Sequence, residues 1–176
     1  MKNLNTYINE KLTIVHKLYS CSPKTFAELR DIIEKRLEDD PNADLNDIDV
    51  SNIIDMSNLF YGLDPHNIDI SRWDVSNVTD MSWMFMGCIN FNSDLSRWNM
   101  SKVENTRRMF DACIKFDSDL SRWDVSNVED MHGMFTWCKN FNSDLSKWDV
   151  SKVKDMRHMF DGCDSMKELP DWCIEK

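Results

Sequence analysis

The side chains best able to do chemistry recur at fixed spacing. Cys88, Cys113, Cys138 and Cys163 stand 25 residues apart, with Cys21 and Cys173 outside the series. Asp69, Asp94, Asp119 and Asp144 form a second series, and Arg72, Arg97, Arg122 and Lys147 follow them three residues later. Sets of this kind could hold a metal or offer a charged stripe. No Cys-x-x-Cys pair and no His at metal-ligand spacing accompany them, and the Gly-rich nonapeptide of calcium-binding coils is missing. A position filled alike in every copy of a unit is what structure demands. The cysteines therefore read as small buried apolar groups in reduced form, the aspartates as acceptors at turns, and the arginines as solvated partners lying over Trp.

Catalytic chemistry finds little support. His16, His66, His132 and His158 have no exposed nucleophile at a suggestive spacing. There is no phosphate-binding Gly loop, no His-Glu-x-x-His and no Gly-x-Ser-x-Gly. The expectation is a protein that is not an enzyme and uses no cofactor and no metal.

Positions that change between copies say more about a partner. Two adjacent places hold Ser82-Trp83, Arg107-Arg108, His132-Gly133 and Arg157-His158, and a second pair holds Met86-Gly87, Asp111-Ala112, Thr136-Trp137 and Asp161-Gly162. Stacked units place these on one strip. Trp, Arg, Met and His are types enriched at protein interfaces. The candidate contact residues are Trp83, Met86, Arg107, Arg108, His132, Trp137, Arg157 and His158. The third unit is the most irregular here, with Asn105 and Thr106 where other copies carry Asp and Met.

Positioning such a strip requires a repeat. Five units run without a gap from Ile48 to Trp172, and the second reads WDVSNVTDMSWMFMGCINFNSDLSR from Trp73. The last unit lacks one residue before Trp172. Within the second copy, Trp73, Val75, Val78, Met81, Met84, Phe85, Cys88, Phe91 and Leu95 are apolar. They are spread around the whole unit, so they all point inward only if each unit is one turn of a coil. No unit buries its own aromatics, so stability belongs to the array. Short strands near Val78 to Met81 and Phe91 to Trp98, with a helical turn at Met84 to Cys88, are expected in each unit.

The recurring MFxxCxxFNSDLSxWDVSNVTDMS pattern, over about residues 48–172, resembles the BspA-like leucine-rich-repeat family of bacterial surface lipoproteins. The resemblance implies an α/β repeat solenoid, a right-handed leucine-rich-repeat-like coil with a short parallel sheet. It also implies binding rather than catalysis, often adhesion at a cell surface. The segment SPKTFAELRDIIEKRL resembles the lead-in before such repeats.

Residues 1–47 read as an N-terminal cap, residues 48–172 as the repeats and 173–176 as a short tail. Thr25 and Glu28 form a capping-box pattern, and Phe26, Leu29, Ile33 and Leu37 follow at helical spacing, predicting a helix over 25–38. Lys11 to Tyr19 alternates as a strand would. Asp44-Leu45-Asn46 resembles the later Asp-Leu-Ser step and leads into the first coil. The short tail leaves an open C-terminal edge able to pair two copies as a homodimer.

The formal net charge of -10 argues against direct binding to nucleic acid or anionic lipid. No apolar run is long enough to span a membrane. Glu10, Lys11, His16 and Lys17 interrupt the apolar runs that a secretory leader would need. The expectation is a cytoplasmic, non-enzymatic module that presents a rigid surface to a protein partner. Two alternatives stay open on sequence alone: a cell-surface or secreted adhesin whose leader is missing, and an acidic phage or mobile-element inhibitor of a nucleic-acid-binding protein.

Overall fold

A computed structural model describes residues 19–63 and 65–174. The 25-residue units follow one another as stacked turns, and backbone bonds join each turn to the next. Met81, Trp83, Phe85 and Gly87 donate to the carbonyls of Asn105, Arg107, Met109 and Asp111 at 2.8–2.9 Å. The next two junctions repeat the pattern: Thr106, Arg108, Phe110 and Ala112 donate to Asp130, His132, Met134 and Thr136, and Met131, Gly133, Phe135 and Trp137 donate to Asp155, Arg157, Met159 and Asp161. A second side is joined through side chains, with Leu95 and Leu120 donating to the hydroxyls of Ser118 and Ser143, each at 2.9 Å.

The expected parallel sheet does not form. Among the described residues, pairing between turns is limited to isolated parallel bridges, one per junction at the column Asp55, Asp80, Asn105, Asp130 and Asp155, with two more at Cys21–Ile48 and Asp44–Asp69. The predicted helical turn at Met84 to Cys88 is also absent. The cause lies in the backbone. Asn58, Trp83, Arg108, Gly133 and His158 have positive φ, and so do Gly62, Gly87, Ala112, Trp137 and Gly162. Gly87 and its counterparts break the right-handed run of a helix, and with Trp83 and its counterparts they break the extended run over 81–87. Near Val78 to Met81 the pairing is the single Asp80 bridge, and near Phe91 to Trp98 it passes through the Ser118 hydroxyl. Alternate N–H groups reach forward to the next turn, while those between fold back, as Met84 to Met81 and Cys88 to Phe85. The expectation of an α/β solenoid of leucine-rich-repeat type is corrected accordingly, because that architecture needs a strand in each repeat.

Each turn changes direction at three aspartate corners. In the fourth unit, Asp124, Asp130 and Asp144 accept from the N–H two residues on, at Ser126, His132 and Ser146, at 3.1, 2.8 and 3.0 Å. Asn99 and Asn105 do the same at 3.1 and 3.0 Å in the third unit. An oxygen acceptor one atom beyond Cβ is all this turn requires.

Inside, identical residues stack on identical residues. Phe60, Phe85, Phe110, Phe135 and Phe160 lie 5.0–5.8 Å apart between centroids, with neighbouring planes within 13°. Phe91, Phe116 and Phe141 form a second stack at 5.8 Å. Trp73, Trp98, Trp123 and Trp148 donate from Nε1 to Leu45, Ile70, Leu95 and Leu120 carbonyls at 2.9–3.2 Å, so each indole satisfies its polar atom where it is buried. Trp172 reaches Leu145 in the same way at 2.9 Å despite the missing residue. The cysteines are free thiols, and Cys113, Cys138 and Cys163 point at the Phe85, Phe110 and Phe135 carbonyls at 2.9–3.0 Å. Burial pushes the Cys163 thiol up to about 11.

The cap contains α1, Phe26–Asp39, with Thr25 as its N-cap. The Thr25 hydroxyl accepts from the Glu28 N–H at 3.2 Å, and the Glu28 carboxylate takes the Lys24 N–H at 2.6 Å. Leu29 and Ile33 are fully buried. Arg30 closes the edge of the first turn, donating to the carbonyls of Asn58, Leu59 and Tyr61 at 3.1, 2.7 and 3.0 Å. These oxygens have no preceding turn to bond. The strand expected from Lys11 falls, up to residue 18, outside the described residues. Leu45 donates to Asp69 and bridges pair Asp44 with Asp69, so 43–47 already lie in the coil. A four-residue helix α2, Asp171–Ile174, follows the last turn.

Candidate functional site

The variable strip coincides with the two left-handed columns. The second residue of every variable pair named from sequence has positive φ, and all four glycines of the chain sit there too. A left-handed conformation costs a residue with a Cβ about 1–2 kcal/mol. The columns therefore favour Gly, yet they hold Trp83, Arg108, Trp137 and His158.

Two of these side chains explain two of the glycines. A Cβ placed on Gly162 would lie 2.6 Å from Trp137 Cε3, so the indole rests on the Gly162 backbone of the next turn. A Cβ on Gly133 would meet Arg108 Cγ at 3.3 Å. A large residue in one turn thus sits over a glycine in the same column of the next.

The eight residues named from sequence separate into distinct roles. Trp137, Arg157 and His158 are exposed, and Trp83, Met86, Arg107 and Arg108 are half-buried. His132 is buried, its Nδ1 without a hydrogen-bond partner and 3.4 Å from Asp155 Oδ2. Arg107 lies 3.5 Å from Asp130, and Arg157 pairs with Asp155 at 2.7 Å. The two arginines offset the stacked aspartate column. The Arg157 guanidinium holds the Asp155 carboxyl well below the usual carboxylate range. Asn105 serves the same end, its amide donating to Asp80 Oδ2 at 3.0 Å and interrupting the run of like charges. Arg108 pairs with Asp111 at 2.8 Å, where burial pushes the carboxyl up against the pull of the guanidinium. His158 Nδ1 meets Asp161 at 2.7 Å, and the His132 and His158 rings cross edge-on at 5.5 Å.

Three contact candidates escaped the sequence reading. Tyr61, Ile89 and Ile114 stand 51%, 46% and 38% exposed, and Trp137 stands 54% exposed. They lie within four residues after the Met-Phe or Leu-Phe step of successive turns, Tyr61 one residue on, Trp137 two, and Ile89 and Ile114 four, whereas Ile54, 60% exposed, lies before that step. Ile89 and Ile114 share a column with Lys139 and Asp164, and the Ile89 carbonyl accepts from Lys115 of the next turn at 3.3 Å. The signal was present: Ile at a place that other copies fill with charge.

Among the described residues, no group of three His, Cys, Asp or Glu is arranged to hold a metal ion, and no helix is long and apolar enough to cross a membrane. The stacked cysteines are buried, and burial raises the Cys113 and Cys138 thiols far above their ordinary value, which keeps them protonated. The Asp94, Asp119 and Asp144 column is occupied at its corners, accepting from Ser96, Ser121 and Ser146.

Residues 27–135 and 109–176 each match the family described as "Mycoplasma protein of unknown function, DUF285". The matches run from α1 through the last turn, across the boundary drawn between cap and repeats. The resemblance to BspA-like leucine-rich repeats is corrected by this finding, since the matching family is a different one. No curated protein and no solved structure matches the chain.

Proposed function

We propose that this chain, which belongs to the DUF285 family, is a non-catalytic module that binds another protein through the corner following the Met-Phe step. One observation carries the reading: Tyr61, Ile89, Ile114 and Trp137 are all exposed within four residues after that step or its Leu-Phe counterpart, on a stack whose interior is otherwise closed. Soluble proteins seldom leave neighbouring large apolar groups in water without use. Trp83, Met86 and Arg108 border this corner and are residue types common at interface centres.

The basic side chains of the strip are already paired with aspartates, so capture rests on apolar contact rather than on charge. Capture should then persist in high salt, whereas an acidic inhibitor of a nucleic-acid-binding protein would release its basic partner. The decisive comparison sets the natural chain against one carrying Ile114→Ser and Trp137→Ser. The unfolding midpoint of the variant is measured alongside, because the Trp137 indole rests on Gly162. The variant should lose at least tenfold in capture of the specific partner, quantified by mass spectrometry. Equal capture by the folded variant refutes the assignment.

A further inference from the structure

One column of the stack is polar along its axis. Over 81–87 and its counterparts in the next two turns the earlier turn supplies four N–H donors and the later turn four carbonyls, with three such bonds at the first junction, while flanking bonds such as Glu129 to Glu104 and Asn140 to Ile114 run the other way. The first turn consequently ends in carbonyls without a preceding turn, two of which, Leu59 and Tyr61, Arg30 takes. The last turn ends in the opposite chemistry. Met156, His158, Phe160 and Gly162 occupy the places of Met131, Gly133, Phe135 and Trp137, and their N–H groups donate to nothing among the described residues. His158 and Gly162 keep the positive φ of their columns, so this turn has the pairing conformation already. Met156 and Phe160 are half-buried beside the row, and Trp172 flanks it, 6.3 Å from Phe160 between centroids.

A row of four donors, flanked by the carbonyls of Lys154 and Asp164, selects its partner. A second copy related by a two-fold axis would bring N–H groups against N–H groups. A second copy added head to tail would need the carbonyls of its first turn, and Arg30 occupies two of them, Leu59 and Tyr61. Both arrangements oppose the homodimer expected at this edge.

We propose that the C-terminal edge binds an extended segment of another protein. That segment offers alternate backbone carbonyls to the N–H groups of Met156, His158, Phe160 and Gly162 and lays apolar side chains over Met156 and Phe160. Backbone bonds supply the register, as in strand addition to an open edge. This surface adjoins the Trp137 corner at Gly162 but does not depend on the function proposed for that corner.

The probe is a synthetic peptide with the sequence of residues 125–141. In place, that segment presents the carbonyls of Asp130, His132, Met134 and Thr136 to the turn before it. Amide hydrogen exchange is followed residue by residue in the full chain, with and without saturating peptide. The expected result is at least tenfold slowing at Met156, His158, Phe160 and Gly162. Arg157, Met159 and Asp161 should stay unchanged, because their N–H groups are already bonded to Asp155, Met156 and His158. Replacing the peptide's Met134 and Phe135 by Asp should abolish the slowing. Absence of slowing, or slowing spread evenly over 156–162, overturns the proposal. Protection that needs no peptide and grows with chain concentration overturns it in favour of a second copy.

Discussion

Arg30→Ala removes the group that closes the first turn. The guanidinium donates to three carbonyls, two of them at 2.7 and 3.0 Å, and pairs with Glu34 at 2.6 Å. A hydrogen bond to a charged group contributes about 1.5–3 kcal/mol when well shielded. The Arg30 side chain is 21% exposed, so water replaces part of what is lost. The exposed i,i+4 pair adds about 0.3–0.5 kcal/mol. A loss of about 2–3 kcal/mol follows, a large share of the roughly 5–15 kcal/mol that holds an ordinary domain folded. Urea unfolding, read by Trp fluorescence and by helix circular dichroism, measures it. The helix signal should be lost at lower urea than the fluorescence signal, because the end turns of a stack have one neighbour and open first. Arg30→Lys should recover less than half, since one ammonium cannot span three carbonyls as the planar fork does. A loss under about 0.5 kcal/mol on Arg30→Ala, or full recovery by Lys, refutes the capping argument.

Three further perturbations test the interior and the strip. Trp123→Phe keeps most of the ring stacking but leaves the Leu95 carbonyl, now bonded to the indole at 2.9 Å, with the Trp98 N–H at 3.1 Å alone, and should cost about 0.5–1.5 kcal/mol by denaturant titration; a neutral result contradicts a role for the indole N–H. Gly162→Ala meets Trp137 Cε3 at 2.6 Å and carries φ of +74°, so it should destabilise by about 1 kcal/mol and shift Trp137 emission as the ring lifts; unchanged emission and stability refute the contact. Hydrogen bonds from Ser121 and Ser126 hold the Asp119 and Asp124 carboxyls below their ordinary value. Their stabilisation is complete above the unfolded value of about 3.9 and disappears as pH falls through the lower folded value. The urea midpoint should therefore be flat from pH 7 to 5 and fall below about pH 4, and Asp119→Asn, which keeps the acceptor as Asn99 does, should soften that fall.

The period, the inward set and the cap helix were legible in the residues. Repeated Trp, Phe, Met and Cys at one spacing can be buried together only by stacking, and all the stacks appear. Thr25 and Glu28 marked the start of α1 because capping is a local contact between near neighbours. Backbone handedness was not legible, and it decided the rest. Asn58, Trp83, Arg108, Ala112, Trp137 and His158 have little in common as side chains, yet all take positive φ, because bonds to the adjoining turns impose it. The sheet expected near Val78 to Met81 and Phe91 to Trp98 does not form, the pairing there being one bridge residue and a Ser hydroxyl. Tertiary structure likewise sorted the strip, tying Arg107, His132 and Arg157 to stacked aspartates and leaving Trp137 in water with Ile89 and Ile114. The need for Arg30 arises only when a turn's carbonyls find no predecessor. Side-chain identity therefore reports what is buried. The direction in which N–H and C=O groups point, which governs caps, edges and partners, comes from contacts 24 or 25 residues apart.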